Sequence, residues 1–473
     1  MRCVTCAVGF LVPAAVWAQT AAPPATAGPF QLPTVIVTAQ KEPADAQTLP
    51  VSVTAVSRET LANAGVTLVR DAAIYSPNTQ FSDFTARKLS NPRFRGIGSS
   101  PANPAVTTYF DGVPQLNSNS SSIDLLDVEQ IEFVRGPQSA LFGRNTLAGV
   151  INVTSLRPSL TEWTHSLSVP LSNFDSRDVR AGFSGPLAAG RVGVSGAIGY
   201  GRRAGFTRNR VTGRDVDSRE GLTGKGQLLW TPSSLWETRL IVTGERARDG
   251  DYALSDLQGL RADPFVVARD FEGHTDRDLV GTTVLTRRAG GRVNLSTTTG
   301  FVRWKTEDAT DLDYTALPLL RRDNTEESVQ FTQEVRVASA ANAPLRLSDR
   351  VPLTWQAGVF VFTQNYDQDA VNAFSPFVLS PFLAFPISQH APQSTLDDVG
   401  LGVYGQTTAT FAEKVDLTAG ARVDREHKKA TLNTFFSPAI APARLVTPEE
   451  SFSNVSPQVS VAVRLRPERM IYA

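Results

Sequence analysis

The chain has 473 residues, too many for one ordinary soluble domain. Its 46 lysines and arginines balance 46 aspartates and glutamates, so no basic footprint points to nucleic acid. The two cysteines, Cys3 and Cys6, lie at the extreme N-terminus. Removal of that end leaves no thiol for disulfides, thiolate metal sites or a cysteine nucleophile. The four histidines, His165, His274, His390 and His427, are scattered, with no pair at metal-ligand spacing.

Residues 1–18 read as a secretory signal peptide. Arg2 supplies the positive end, Cys3 to Trp17 the apolar stretch, and Val16-Trp17-Ala18 the small residues before a cleavage site. Neither cysteine follows the apolar stretch, so a lipid anchor is not expected. No later run is long and apolar enough for a transmembrane helix. Residues 19–45 form an N-terminal segment, disordered across its Ala-, Pro- and Thr-rich part. Inside it, Pro33-Thr34-Val35-Ile36-Val37-Thr38-Ala39 is β-branched and favours an extended backbone. Such a peptide adds itself as a strand to a partner's sheet edge, or it begins the domain that follows. The peptide alone leaves both open.

Residues 46–158 alternate short strands with short helices, an α+β pattern. Val51 to Val56 is a strand. Ser57 caps a helix through Ala64, closed by Gly65. Thr67 opens a second helix ending before Ser76-Pro77. Strands follow near Arg93–Ile97 and Val106–Phe110. The domain centres on VEQIEFVRGPQSALFGRNTLAGVINVT, from Val128 to Thr154. Alternation marks a strand to Val134, Arg135-Gly136-Pro137 and Gly143-Arg144-Asn145 are turns, and Val150 to Val153 is a second strand.

Here the residues carry a resemblance. IEFVRGPQSALFGRNTLAGVINV resembles the plug-domain signature of TonB-dependent outer-membrane receptors. Phe94-Arg95-Gly96-Ile97-Gly98 resembles the family's F-x-I-R-G-I-G element, lacking the intervening residue. Thr108-Tyr109-Phe110-Asp111-Gly112-Val113-Pro114 resembles its V-Y-x-D-G-V-P strand and turn. Residues 33–39 resemble the TonB box. The likeness covers 33–158 and is only architectural beyond. It implies that Thr34, Val35, Ile36, Val37 and Thr38 bind TonB. It also implies that Arg93, Arg95, Glu132, Arg135 and Arg144 hold plug against barrel wall, where desolvated ion pairs are costly to break. Little chain separates the cleavage site from the box, so no N-terminal signalling domain is expected.

After Pro158 the texture changes. Segments with weak alternation recur at 164–172, 178–185, 191–200, 224–230, 237–245, 279–287, 293–303, 329–338, 353–364, 400–411, 417–426 and 456–465. Another begins near Met470. Their length suits tilted strands crossing a bilayer. The connections alternate: short at Pro186–Gly190, Thr231–Trp236, Arg288–Arg292, Ala412–Val415 and Arg466–Arg469, long at 201–223, 246–278, 304–328, 365–399 and 427–455. The stretch 339–352 is the middling exception. Short turns on one side and long loops on the other mark an outer-membrane barrel. A β-propeller needs a blade repeat, and none is present.

The fold expected is thus an α+β plug, 46–158, followed by an all-β antiparallel transmembrane β-barrel, 159–473. That barrel is incomplete, with twelve to thirteen of the twenty-two strands the resemblance implies. The chain stops at Met470-Ile471-Tyr472-Ala473 as if within a strand, which reads as a C-terminally truncated fragment. A smaller closed barrel is the other account, but its lumen is too tight for the plug.

The resemblance implies a monomeric multi-pass protein of the Gram-negative outer membrane. It would import a scarce ligand, a ferric siderophore foremost, with TonB and its inner-membrane motor as partners. Cobalamin, an oligosaccharide, or a non-transporting remnant are the alternatives. No nucleophile–base pair or phosphate loop indicates an enzyme. No bound cofactor is expected, iron entering only as part of a ferric-siderophore ligand. The candidate ligand surface is Gly98–Ala105 and Gln115–Ser122, with Ser99, Ser100, Asn103, Gln115 and Asn117. Loop 365–399 adds Phe374 and Phe377, with Phe382 and Phe385. Exposed aromatics there either stack on a planar ligand or pack the loops together.

Overall fold

The computed structural model describes residues 35–82, 87, 91–98, 104–340, 343–348, 350–466 and 469–473. The expected signal peptide, Thr34, Ser99, Ser100 and Asn103 lie outside the described residues.

The first domain is built on one mixed sheet. Its strands are β3 (Ser52–Ser57), β6 (Val106–Phe110), β7 (Val113–Pro114), β8 (Val128–Arg135) and β9 (Gly149–Ser155), in the order β3-β8-β9-β6-β7. Only β6 and β9 run parallel. Two hairpins stand apart: β1 (Ile36–Val37) with β2 (Ala44–Asp45), and β4 (Thr79–Ser82) with β5 (Asn91–Phe94). Ser57 does cap α1 (Arg58–Asn63), its hydroxyl accepting the Thr60 N–H. The helix expected from Thr67 does not form there. The Asp71 carboxylate accepts the Leu68 N–H and the Thr67 hydroxyl, which holds the chain in turns. A 3-10 turn spans Asp71–Tyr75 instead. Between β8 and β9 sits a single helical turn, α2 (Ser139–Phe142).

The plug core joins Phe94, Ile131, Phe133 and Ile151, all fully buried, with Val106, Leu125 and Val153. Gly149 explains how closely β9 lies on it. A Cβ there would stand 2.1 Å from the Val134 carbonyl oxygen and 2.7 Å from Phe94, so only glycine fits.

The second domain is one long antiparallel sheet. Its main path begins β10 (Thr164–Ser168), β12 (Ser176–Ala188), β13 (Val192–Arg203), β15 (Arg219–Ser233), β16 (Trp236–Gly250) and β18 (His274–Arg288). It continues β19 (Val293–Asp311), β20 (Leu320–Ser339), β22 (Val351–Phe374) and β23 (Ile387–Phe411). It ends β24 (Val415–Ser437), β26 (Glu449–Arg466) and β27 (Arg469–Tyr472). Short strands β11 (Leu171–Ser172), β21 (Leu345–Ser348) and β25 (Arg444–Val446) attach to it, making sixteen in all. A parallel bridge of β14 (Arg208–Asn209) with β17 (Val266–Val267), and a short helix α3 (Leu257–Ala262), lie in the loops. No pairing among the described residues joins β10 to β27, so the sheet is a wall curved around the plug and not a closed ring.

The wall is inverted relative to a soluble sheet. In β16 the side turned to the plug buries Arg239, Glu245 and Asp249, while Leu240 and Val242 are exposed on the other face. Apolar residues point outward because lipid is their solvent there, and the ladder pairs backbone polar groups that lipid could not satisfy. The strands extend well past the expected segments: β23 runs 25 residues. The long connections therefore shrink to 204–218, 251–273, 312–319, 375–386 and 438–448. The middling stretch 339–352 resolves into the hairpin β21–β22 on the short-turn side.

Candidate functional site

The plug presents two faces to the wall, and each carries a distinct set of polar side chains. The first surrounds the N-terminal peptide. β1 and β2 pair over two residues only, and Val37 is fully buried while Ile36 is 49% exposed. Glu132, fully buried on β8, anchors the peptide. Its carboxylate accepts the Thr38 N–H at 2.8 Å and the Thr38 hydroxyl at 3.1 Å, with further bonds from Gln130 at 2.7 Å and Asn152 at 3.3 Å. Gln130 also donates to the Ile36 carbonyl at 3.0 Å. Burial raises the Glu132 carboxyl above its ordinary range, and these four donors pull against that rise.

The next residues are strapped to the wall. The Lys41 ammonium pairs with Glu334 of β20, and Tyr404 of β23 donates to the same carboxylate at 2.8 Å. Lys41 also lies 4.6 Å from the Tyr404 ring centre and 5.1 Å from that of Phe142. Arg336 donates to the Lys41 carbonyl and meets Glu42 at 3.0 Å, while Gln356 donates to the Gln40 carbonyl at 3.1 Å. Burial lowers the Lys41 ammonium to about 8, against the pull of Glu334. A cavity of about 250 Å³ opens beside Thr38 and Lys41, reaching Asp111, Arg239 and Glu334. All these contacts lie toward the short-turn end of the wall.

The second face lies toward the long loops. A cavity of about 470 Å³ is lined by Asn117, Ser118 and Asn119 of the plug and by Glu326, Tyr366, Gln368, Asp397 and Lys428 of the wall. Arg144 closes its side: it meets Asp398 at 2.7 Å and Glu426 at 3.4 Å, and Lys428 pairs with the same Asp398. Asn119 donates to Glu326 at 2.7 Å. Beside this cavity, plug and wall share a buried charge cluster. Arg87 is bidentate to Asp249 at 2.9 and 3.0 Å and meets Asp124 at 2.8 Å. Arg277 of β18 pairs with Glu245 and donates to the carbonyls of Asn119 and Ser122 at 2.8 and 2.6 Å. Burial pushes the Asp124 carboxyl up to about 6, with Arg87 opposing.

Of the five charged residues expected to tie plug to wall, only Arg144 pairs with a wall side chain among the described residues. Glu132 binds the N-terminal peptide. Arg135 donates to Ser52, Thr54 and Ser76 at 3.0, 2.8 and 2.6 Å, all within the plug. Arg93 is exposed over Gly98, and Arg95, at a φ of 51°, lies beside Gly136. The expected ligand residues also divide. Asn117 lines the outer cavity. Gln115 is buried and turns back to donate to the Val113 carbonyl at 3.2 Å. Phe374 ends β22 opposite Ile387, and Phe377 is exposed in the loop beyond; neither lines the outer cavity.

Sequence reasoning missed Lys41, Glu334, Arg87, Asp249 and Arg277. The signal for the strand residues was present: Glu245, Ala247 and Asp249 share the inward parity of β16, and charge on that parity marks a wall that faces polar plug.

A sheet with an apolar outer face wrapped around a polar-edged plug defines a plugged β-barrel of the outer membrane. The chain belongs to the TonB-dependent receptors. Residues 45–150 match the TonB-dependent receptor plug domain, and residues 162–473 match the TonB-dependent receptor-like β-barrel. Family members are receptors and transporters rather than enzymes. The pesticin receptor of Yersinia pestis is 30% identical over 259 residues, 53% of this chain and 37% of that protein. A ferrioxamine receptor of Yersinia enterocolitica is 28% identical over 211 residues, 42% of this chain and 27% of that protein. The crystal structure of the ferric yersiniabactin uptake receptor FyuA from Yersinia pestis superposes with a TM-score of 0.77 at 20% identity, covering 89% of this chain and 63% of that one. The chain thus spans less than two thirds of each of these three proteins.

Proposed function

We propose that this chain serves TonB-dependent import of a ferric siderophore across the outer membrane, with iron as cargo and not as a resident cofactor. The carrying observation is the two-faced plug. A polar cavity between plug and wall lies toward the long loops, and a β-branched peptide held by side chains lies toward the short turns. A ligand seated in the outer cavity touches Asn117 and Asn119, on the same domain that anchors the peptide at Glu132. Val35 and Ile36 keep exposed side chains, which leaves them within reach of strand addition to TonB. The inner-membrane motor then supplies the work of remodelling the plug. The names of the relatives, a ferrioxamine receptor and a ferric yersiniabactin uptake receptor, support the siderophore class over cobalamin or an oligosaccharide.

Deletion of Val35–Val37 tests the coupling step. Uptake of radiolabelled ferric siderophore by whole cells should be abolished while binding at the cell surface stays intact. Because Val37 is part of the plug interior, Ile36→Pro serves as the milder variant and should give the same split. Uptake that persists in both would refute the coupling role of the peptide.

A further inference from the structure

The outer face of the wall carries a groove that faces away from the plug. Ile198, Gly224, Gly244, Val280 and Arg303 are consecutive ladder partners across β13, β15, β16, β18 and β19. Their inward neighbours Glu245, Leu279 and Trp304 are buried, so these five share the lipid-facing parity. The two central glycines leave a trough of about 620 Å³, walled by Ile198, Leu222 and Val280.

Glycine is unfavourable inside a strand, so it marks close approach by something. Elsewhere in this wall the approaching group is a protein side chain, from the wall itself at Gly358 and Gly400, where a Cβ would meet Tyr404 and Phe362, and from the plug at two others. A Cβ on Gly300 would stand 2.5 Å from Val113, and one on Gly221 2.5 Å from Arg87. At Gly224 and Gly226 a Cβ would meet no protein atom within 4 Å, and at Gly244 only the Leu279 carbonyl oxygen, at 3.9 Å. These glycines make room for nothing in the protein; the room is on the membrane side.

Charge at the end of the trough is not balanced. In the next row Arg246 pairs with Asp278 at 3.2 Å, and Lys305 pairs with Glu307. Arg303, at the end of the apolar row, has no carboxylate partner among the described residues. An unpaired guanidinium on the lipid face is unfavourable unless its head reaches an anion at the interface. Phosphate oxygens match its planar fork of donors. The groove lies in the half of the wall that leads to the long loops, so its headgroup end faces the outer leaflet.

We infer that this groove seats one phosphate-bearing lipid of the outer leaflet, an acyl chain lying along Gly224 and Gly244 and the phosphate held by Arg303. The full chain, purified in a non-ionic detergent, is titrated with a bis-phosphorylated glucosamine-disaccharide lipid and with the same lipid after removal of its phosphates. Bound copies are counted by native mass spectrometry. The protein should prefer the phosphorylated form by about tenfold, and Arg303→Gln should erase that preference. Gly224→Leu projects away from every protein atom, so the fold, followed by circular dichroism, should persist while both lipids bind about tenfold more weakly. No preference in the unaltered protein, an undiminished preference in Arg303→Gln, or undiminished binding in a folded Gly224→Leu would each overturn the inference.

Discussion

Asp124 shows how a single plug residue feels the wall. Its carboxylate meets Arg87 at 2.8 Å, and its backbone N–H donates to Glu245 at 2.9 Å. Burial among these groups pushes its carboxyl from 3.8 to about 6, so the folded protein holds this proton more tightly than the unfolded chain does. Stability from this group is therefore full below about pH 4 and is lost as pH climbs through about 6. The ceiling on the effect is about 3 kcal/mol. Asp124→Asn removes the titration yet leaves Arg87 bidentate on Asp249. Thermal unfolding of the plug, followed in detergent between pH 4 and 7, should fall more shallowly with rising pH in the variant than in the unaltered protein. Some slope should persist, because burial also raises Glu132 and its contribution has the same sign. An identical slope in both proteins would assign the effect to carboxylates other than Asp124.

At the scale of elements, the segment after the N-terminal peptide is a strap with two fastenings, Thr38 on the plug and Lys41 on the wall. Lys41→Met leaves Glu334 buried without its cation, and Glu334→Gln leaves the cation without its counter-charge. Breaking one side of such a pair costs about 3–5 kcal/mol. Tyr404 still donates to Glu334 and the nearby Arg336 charge still attracts it, which places Lys41→Met at the lower end. Amide exchange across Val37–Glu42 should speed up in each single variant, and the double variant should be no faster than the worse single one. Additive acceleration would mean the two side chains act independently.

The strap was only half legible in the sequence. The β-branched peptide and the plug signature were readable because period-2 alternation and glycine turns are local signals. Lys41 and Glu334 are 293 residues apart, and nothing local pairs them. All thirteen strands along the main path were placed, but their lengths were not. The ladder continues beyond the apolar belt, as in Asp367–Phe374 against Ile387–Thr395, where the buried side carries polar Asn372 and Ser394 and the periodicity loses its hydrophobic contrast. The helix expected at Thr67 failed through side-chain competition, since Asp71 takes the very amide that a helical turn would leave to capping.

At the scale of the whole molecule, the plug is held in a wall whose end strands, β10 and β27, each pair on one side only among the described residues. Were the wall to close on itself, Thr164–Ser168 would lie against Arg469–Tyr472 and share a ladder. Unpaired backbone groups in lipid cost several kcal/mol each, so such closure would be strongly favoured if the geometry allowed it. Contacts with the plug oppose it: plug and wall meet at Val113, Ile123, Leu279, Val302 and Trp304 in one apolar cluster and through the Arg87 and Lys41 clusters in two polar ones. Drawing the edges together would tighten the curvature and break these contacts. Paired cysteines distinguish the two arrangements, with Cys3 and Cys6 replaced by serine. Ser166→Cys with Gly182→Cys, which are direct ladder partners, should cross-link under mild oxidation. Leu167→Cys with Ile471→Cys should not. A disulfide across the second pair within one chain would show that the wall closes directly around its plug, and the open-edged architecture would be wrong.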